Sequence, residues 1–219
     1  LIGLALEGGG AKGSYQAGAY MAFKKCHVKF NAVAGTSIGS LNGELIASHD
    51  ENKMVDLWKD TSMQEILGID EEKAINILKN GLTLDNIKWS FQELYKIFKN
   101  KGLDVSNYRA LVRNNVDENK LRSSNIKYGL TTLKLDNMEP LEVYLEDIPL
   151  NKLHDYIVAS SYLPIFKREK LIDGSYYLDG GFHNNCPVNM LEHMGCNKIY
   201  TVNIKGIGIR KDESNIGLF

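Results

Sequence analysis

Residues 30–48 read FNAVAGTSIGSLNGELIAS, and the fold follows from how this stretch is parsed. FNAVA (30–34) is a short apolar run of strand length, Gly35-Thr36-Ser37-Ile38-Gly39 is a glycine-bracketed turn, and SLNGELIAS has helical character. The same order occurs upstream. LIGLAL (1–6) is nearly unbroken in apolar character, as a strand buried on both faces would be. GGGAKG (8–13) follows, then the helical SYQAGAYMAFKK (14–25). Two successive strand, glycine turn, helix units predict an α/β fold: three layers, α/β/α, around a mostly parallel central sheet.

Further along, ENKMVDLWKDTSMQEIL (51–67), EEKAINILKN (71–80) and NIKWSFQELYKIFKN (86–100) are helical by period, with breaks at Gly68, Gly81 and Gly102. Residues from about 50 to 120 therefore read as a helical insertion that covers one end of the sheet. Within it Ile87, Phe91, Leu94 and Phe98 fall at helical spacing beside lysines, so 87–99 is a candidate lid meeting a lipid surface. Strands are expected at 126–135 and 140–148, a helix at 151–164 stopped by Pro164, and a hairpin over 167–181. A helix over 187–193 and a strand over 198–204 complete the pattern.

Composition narrows the function. With 26 basic and 27 acidic residues the net charge is −1, which offers no field for nucleic acid. Three cysteines in 219 residues make no disulfide framework, and a reducing, cytoplasmic setting is expected. The chain opens without methionine, so an upstream segment stays open.

Gly8, Gly10 and Gly13 satisfy G-x-G-x-x-G, the dinucleotide fingerprint, but no Asp or Glu lies between Gly8 and Gly43 to take a ribose hydroxyl. What the loop does offer is a set of unobstructed backbone N–H groups at a helix start, an anion site. GTSIG (35–39) is G-x-S-x-G between strand and helix, the setting in which that pattern marks a nucleophile elbow with Ser37 as nucleophile. A serine nucleophile needs a base. Of His27, His49, His154, His183 and His193 the best placed is His183, close to a glycine turn, and Asp179, followed by Gly180 and Gly181, is the stronger candidate. His183/Cys186 and His193/Cys196 mimic zinc-ligand pairs, but a helix begun by Pro187 would hold the cysteines about 15 Å apart. No metal and no cofactor are expected.

Taken together, GGGAKG, GTSIG and DGG (179–181) resemble the patatin-like phospholipases in order and spacing. ASSYLPIF (159–166) and the extension of the aspartate motif through Asn185 and Pro187 add to the resemblance. Lys12 stands where an arginine is frequent. The resemblance implies one patatin-like catalytic domain over 1–219, with a Ser37–Asp179 dyad and an oxyanion hole at Gly8, Gly9, Gly10, Lys12 and Gly13, joined by the Ile38 N–H. It also implies a lipid acyl hydrolase of the phospholipase A or lysophospholipase type working through an acyl-enzyme. The expected partner is a phospholipid or other lipid ester, with contact at a membrane surface. A carboxylesterase, an acyltransferase and a non-catalytic binding module are the alternatives on the same scaffold. An aspartate, ordinarily near a pKa of about 3.9, is a weak acceptor for a serine proton. Burial is expected to strengthen it, and ester cleavage is expected over amide cleavage.

Overall fold

The computed structural model describes residues 1–61 and 101–204. β1 (Ile2–Leu6) leads through a short 3-10 turn (Gly10–Lys12) into α1 (Gly13–Lys25), and β2 (Ala32–Thr36) turns directly into α2 (Ile38–Ala47). α3 (Glu51–Asp60) precedes the undescribed segment 62–100, and α4 (Ser106–Asn115) and α5 (Glu118–Arg122) follow it. β3 (Lys127–Lys134), β4 (Glu139–Tyr144), α6 (Leu153–Ser160), β5 (Tyr177–Asp179), α7 (Val188–His193) and β6 (Lys198–Val202) complete the described chain. The candidate lid, 87–99, lies outside the described residues. None of the helices described is long and apolar enough to cross a membrane.

The strands order as β4-β3-β2-β1-β6, with β5 also pairing β3. β6, β1, β2 and β3 are mutually parallel, while β4 and β5 run antiparallel to β3. Strand alternation sorts the core. Leu4, Leu6 and Val33 point to the face covered by α2 and its neighbours, and Ala5, Ala32 and Ala34 to the face covered by α7. Small residues on the second face let α7 sit close. A Cβ on Gly3 would lie 3.0 Å from Cys196 Sγ, and one on Gly129 would lie 2.7 Å from Met190 Cε.

From β1 the chain moves outward to β2 and β3, then returns to β6 on the other side. The sheet order therefore reverses at β1, where open α/β sheets bind ligands beyond the strands' carboxyl ends. The glycine loop after β1 and the serine turn after β2 both stand at that end.

Some boundaries differ from the sequence reading. β2 runs two residues further than expected, through Gly35 and Thr36, and stops only at Ser37. The hairpin over 167–181 shrinks to a single bridge, Ile172↔Ser175, around Asp173 and Gly174, both at positive φ as a tight primed turn requires. α6 ends at Ser160, four residues before Pro164, because the chain must turn to bring the Tyr162 carbonyl to the Asp179 N–H, 2.8 Å away.

Candidate active site

The serine turn is built by close backbone approach. β2 is buried along its length, and Ser37 must reverse the chain within one residue, which it does at φ 56° and ψ −127°. Such a conformation costs a non-glycine residue about 1–3 kcal/mol and persists only where its surroundings hold it. Here they do. The Ser37 N–H donates to Ser160 Oγ (2.9 Å), and the Ser37 carbonyl accepts from Ser40 N–H (2.8 Å) and Ser40 Oγ (2.6 Å). The bracketing glycines are sterically required. A Cβ on Gly35 would lie 2.1 Å from the Gly39 carbonyl oxygen, and one on Gly39 would lie 2.4 Å from the Leu6 carbonyl oxygen.

Asp179 reaches the same place through the sheet. β2 leaves β3 after the pair Thr36↔Thr131, and β5 takes up the next position with Asp179↔Thr132. β5 thus fills the lane that β2 vacates when it turns at Ser37. Asp179 is 6% exposed, and its Oδ1 accepts the Gly181 N–H at 2.7 Å. Gly180 presses backbone against β3, since a Cβ there would lie 2.1 Å from Thr131 Oγ1. Thr36 Oγ1 donates to the Asn184 carbonyl (2.8 Å) and lies 2.8 Å from Thr131 Oγ1. These bonds tie the loop after Asp179 to the residue before Ser37.

The glycine loop divides its duties. The Gly8 N–H donates to the Asn185 carbonyl at 3.0 Å, so it is engaged within the fold. The N–H groups of Gly9 and Gly10 have no protein acceptor among the described residues, and both glycines are exposed. Gly10 has φ 59°, which glycine adopts without strain. Lys12 is exposed at the end of the 3-10 turn. Gly13 is buried as the first residue of α1, where a Cβ would lie 2.6 Å from the Trp58 ring and 2.7 Å from Ile38 Cγ1. Its smallness lets α1 pack on α2 and α3.

Gly8, Gly9, Gly10, Ser37, Asp179, Gly181 and Asn185 line one cavity of about 360 Å³, with Leu163 and Phe182 as its apolar wall. Lys12 and Gly13 are not among its lining residues. Phe182 is 59% exposed and Leu163 37%, so the wall continues outward as an apolar rim. The structure describes all five histidines, and none lines this cavity. His27, His49 and His183 are exposed, His154 Nε2 lies 3.2 Å from the Val116 carbonyl, and His193 Nδ1 lies 3.2 Å from Tyr144 Oη. Cys186 and Cys196 are free thiols on either side of α7, with Cys186 Sγ 3.6 Å from Asn203 Oδ1.

The sequence reading missed the residues that hold this arrangement, namely Glu7, Thr36, Thr131, Ser160 and Asn184. One of them carried a signal: Glu7 is the sole acidic residue before Gly43, at the end of an apolar strand.

A model of the patatin-like phospholipase family matches residues 4–191. The chain is 23% identical over 216 residues to patatin-like phospholipase domain-containing protein 7 of Rattus norvegicus, covering 99% of this chain and 14% of that protein. With lysophospholipase NTE1 of Candida glabrata it shares 26% identity over 213 residues, covering 95% of this chain and 11% of that protein. It therefore spans less than a fifth of the length of these relatives. In fold it is similar to VipD from Legionella pneumophila, with a TM-score of 0.55 at 17% identity over 85% of this chain and 47% of that one. With the matched region taking in the glycine loop, the serine turn and the Asp179 loop, the chain belongs to the patatin-like phospholipase family.

Proposed function

We propose that this domain is a lipid acyl hydrolase of the phospholipase A or lysophospholipase type, with Ser37 as nucleophile and Asp179 as its base. The observation that carries the reading is the single cavity that Ser37 and Asp179 share with the uncommitted N–H groups of Gly9 and Gly10. In the first half-reaction the Asp179 carboxylate takes the Ser37 hydroxyl proton as Oγ bonds to the ester carbonyl carbon. Charge gathers on the carbonyl oxygen, and the N–H groups of Gly9, Gly10 and Ile38 stabilise it. A single donor of this kind is worth about 2.7–4 kcal/mol. Collapse breaks the bond to the alcohol, which leaves with the proton from Asp179. Water then gives a proton to Asp179, attacks the acyl-enzyme, and releases the carboxylic acid as the proton returns to Ser37 Oγ.

The apolar rim suits an acyl chain, and one relative bears the name lysophospholipase. The test is a fluorophosphonate probe followed by peptide mapping, with a lipid-class screen alongside. Labelling of Ser37 that disappears in Asp179→Ala, together with loss of ester hydrolysis in Ser37→Ala, is expected. Label on another residue, or hydrolysis that survives Ser37→Ala, refutes the reading.

A further inference from the structure

Glu7 sits between β1 and the glycine loop, and its side chain is almost fully buried. Its Oε1 accepts from Asn185 Nδ2 (3.0 Å), and its Oε2 accepts from the Ile204 N–H (2.7 Å). A carboxylate offers two acceptor atoms and no donor, which is what two converging N–H groups require. Asn185 Nδ2 also donates to the Gly8 carbonyl (3.2 Å), so both hydrogens of that amide have acceptors and its orientation is fixed. In a planar trans peptide the carbonyl of one residue and the N–H of the next point in opposite directions. Pinning the Gly8 carbonyl therefore pins the N–H of Gly9. That N–H has no acceptor among the described residues and belongs to a residue lining the cavity with Ser37.

We infer that Glu7 is a positioning residue for ester cleavage: through the Asn185 amide it holds the Gly8–Gly9 peptide plane and so aims the Gly9 N–H. The inference rests on the Ser37–Asp179 reading and adds a residue to it. Glutamine at position 7 supplies one acceptor and sets its own NH2 against the other donor, whereas Asn185→Ala cuts the same link and leaves the Glu7–Ile204 bond in place.

Kinetics on a soluble p-nitrophenyl ester test this, with Ser37→Ala as control. Glu7→Gln and Asn185→Ala are each expected to lower kcat at least tenfold with KM within threefold. The double variant is expected to lose no more than threefold beyond the weaker single variant. If Glu7→Gln fails to fold, Asn185→Ala decides alone by the same kcat and KM criterion. Losses that multiply in the double variant, or a single variant within threefold of the unsubstituted kcat, overturn the inference and leave the Ser37 reading standing. Hydrolysis that survives Ser37→Ala removes both.

Discussion

Glu44, the seventh residue of α2, is fully buried, and only one of its carboxylate oxygens is satisfied, by Ser48 Oγ at 2.6 Å. Its Oε2 is buried with no hydrogen-bond partner among the described residues. Burial pushes its pKa up to about 8; the Ser48 hydrogen bond pulls it down, Asp50 adds to the rise, Lys53 opposes it, and Asp117 raises it further. The folded protein thus keeps this proton through a range in which the unfolded chain, with an ordinary value of 4.5, has lost it. The unfolded state binds fewer protons there, so stability falls as pH rises from about 4.5 to about 8 and levels off above. Each tenfold difference in proton affinity is worth about 1.4 kcal/mol, which gives a loss of about 3 kcal/mol by pH 7. Glu44→Gln removes the titration. Urea melts of both proteins at pH 5 and pH 8 should show the unsubstituted protein losing about 3 kcal/mol more than the variant. Carboxylates common to both, such as Asp104, held low by Ser106, cancel in the difference. With roughly 10 Å of helix between Glu44 and Ser37, kcat should stay within threefold. Parallel pH curves, or a variant less stable at pH 8, would refute the reasoning.

Two further substitutions test how the site is held. In Gly180→Ala the new methyl would lie 2.1 Å from Thr131 Oγ1 and 2.4 Å from the Thr131 carbonyl, so the Asp179 loop must shift. Since a displacement of about 1 Å can cost a factor of about 100, kcat should fall at least that far, and a near-normal value would contradict the packing described. Ser160→Ala removes the acceptor of the Ser37 N–H and should cost about 1–3 kcal/mol by urea melt, with a several-fold drop in kcat. An unchanged melt would mean that this bond does not help hold the turn.

Much of the fold was legible because its signals are local. Glycine placement and apolar runs marked the strand, turn and helix units around Gly8–Gly13 and Gly35–Gly39, and close backbone approach demands Gly35 and Gly39. The exchange of β2 for β5 beside β3 was not legible, because it depends on pairing Thr132 with Asp179 across 46 intervening residues. The supporting hydrogen bonds were hidden for the same reason. Thr36 reaches the Asn184 carbonyl across 148 positions and Glu7 reaches Asn185 across 178, and no periodicity records such contacts. Gly13 has a packing role that the motif does not record. The pattern groups it with the anion-binding glycines, and in the fold a Cβ there would also meet the Trp58 ring and Ile38.

The handover from β2 to β5 also couples two parts of the site. Thr131 and Thr132 are adjacent residues of β3, and they pair with Thr36, beside Ser37, and with Asp179. In the proposed dyad, both groups are therefore registered against two neighbouring residues of one strand. A substitution that shifts Thr131 or Thr132 is therefore expected to disturb both groups together and not either one alone.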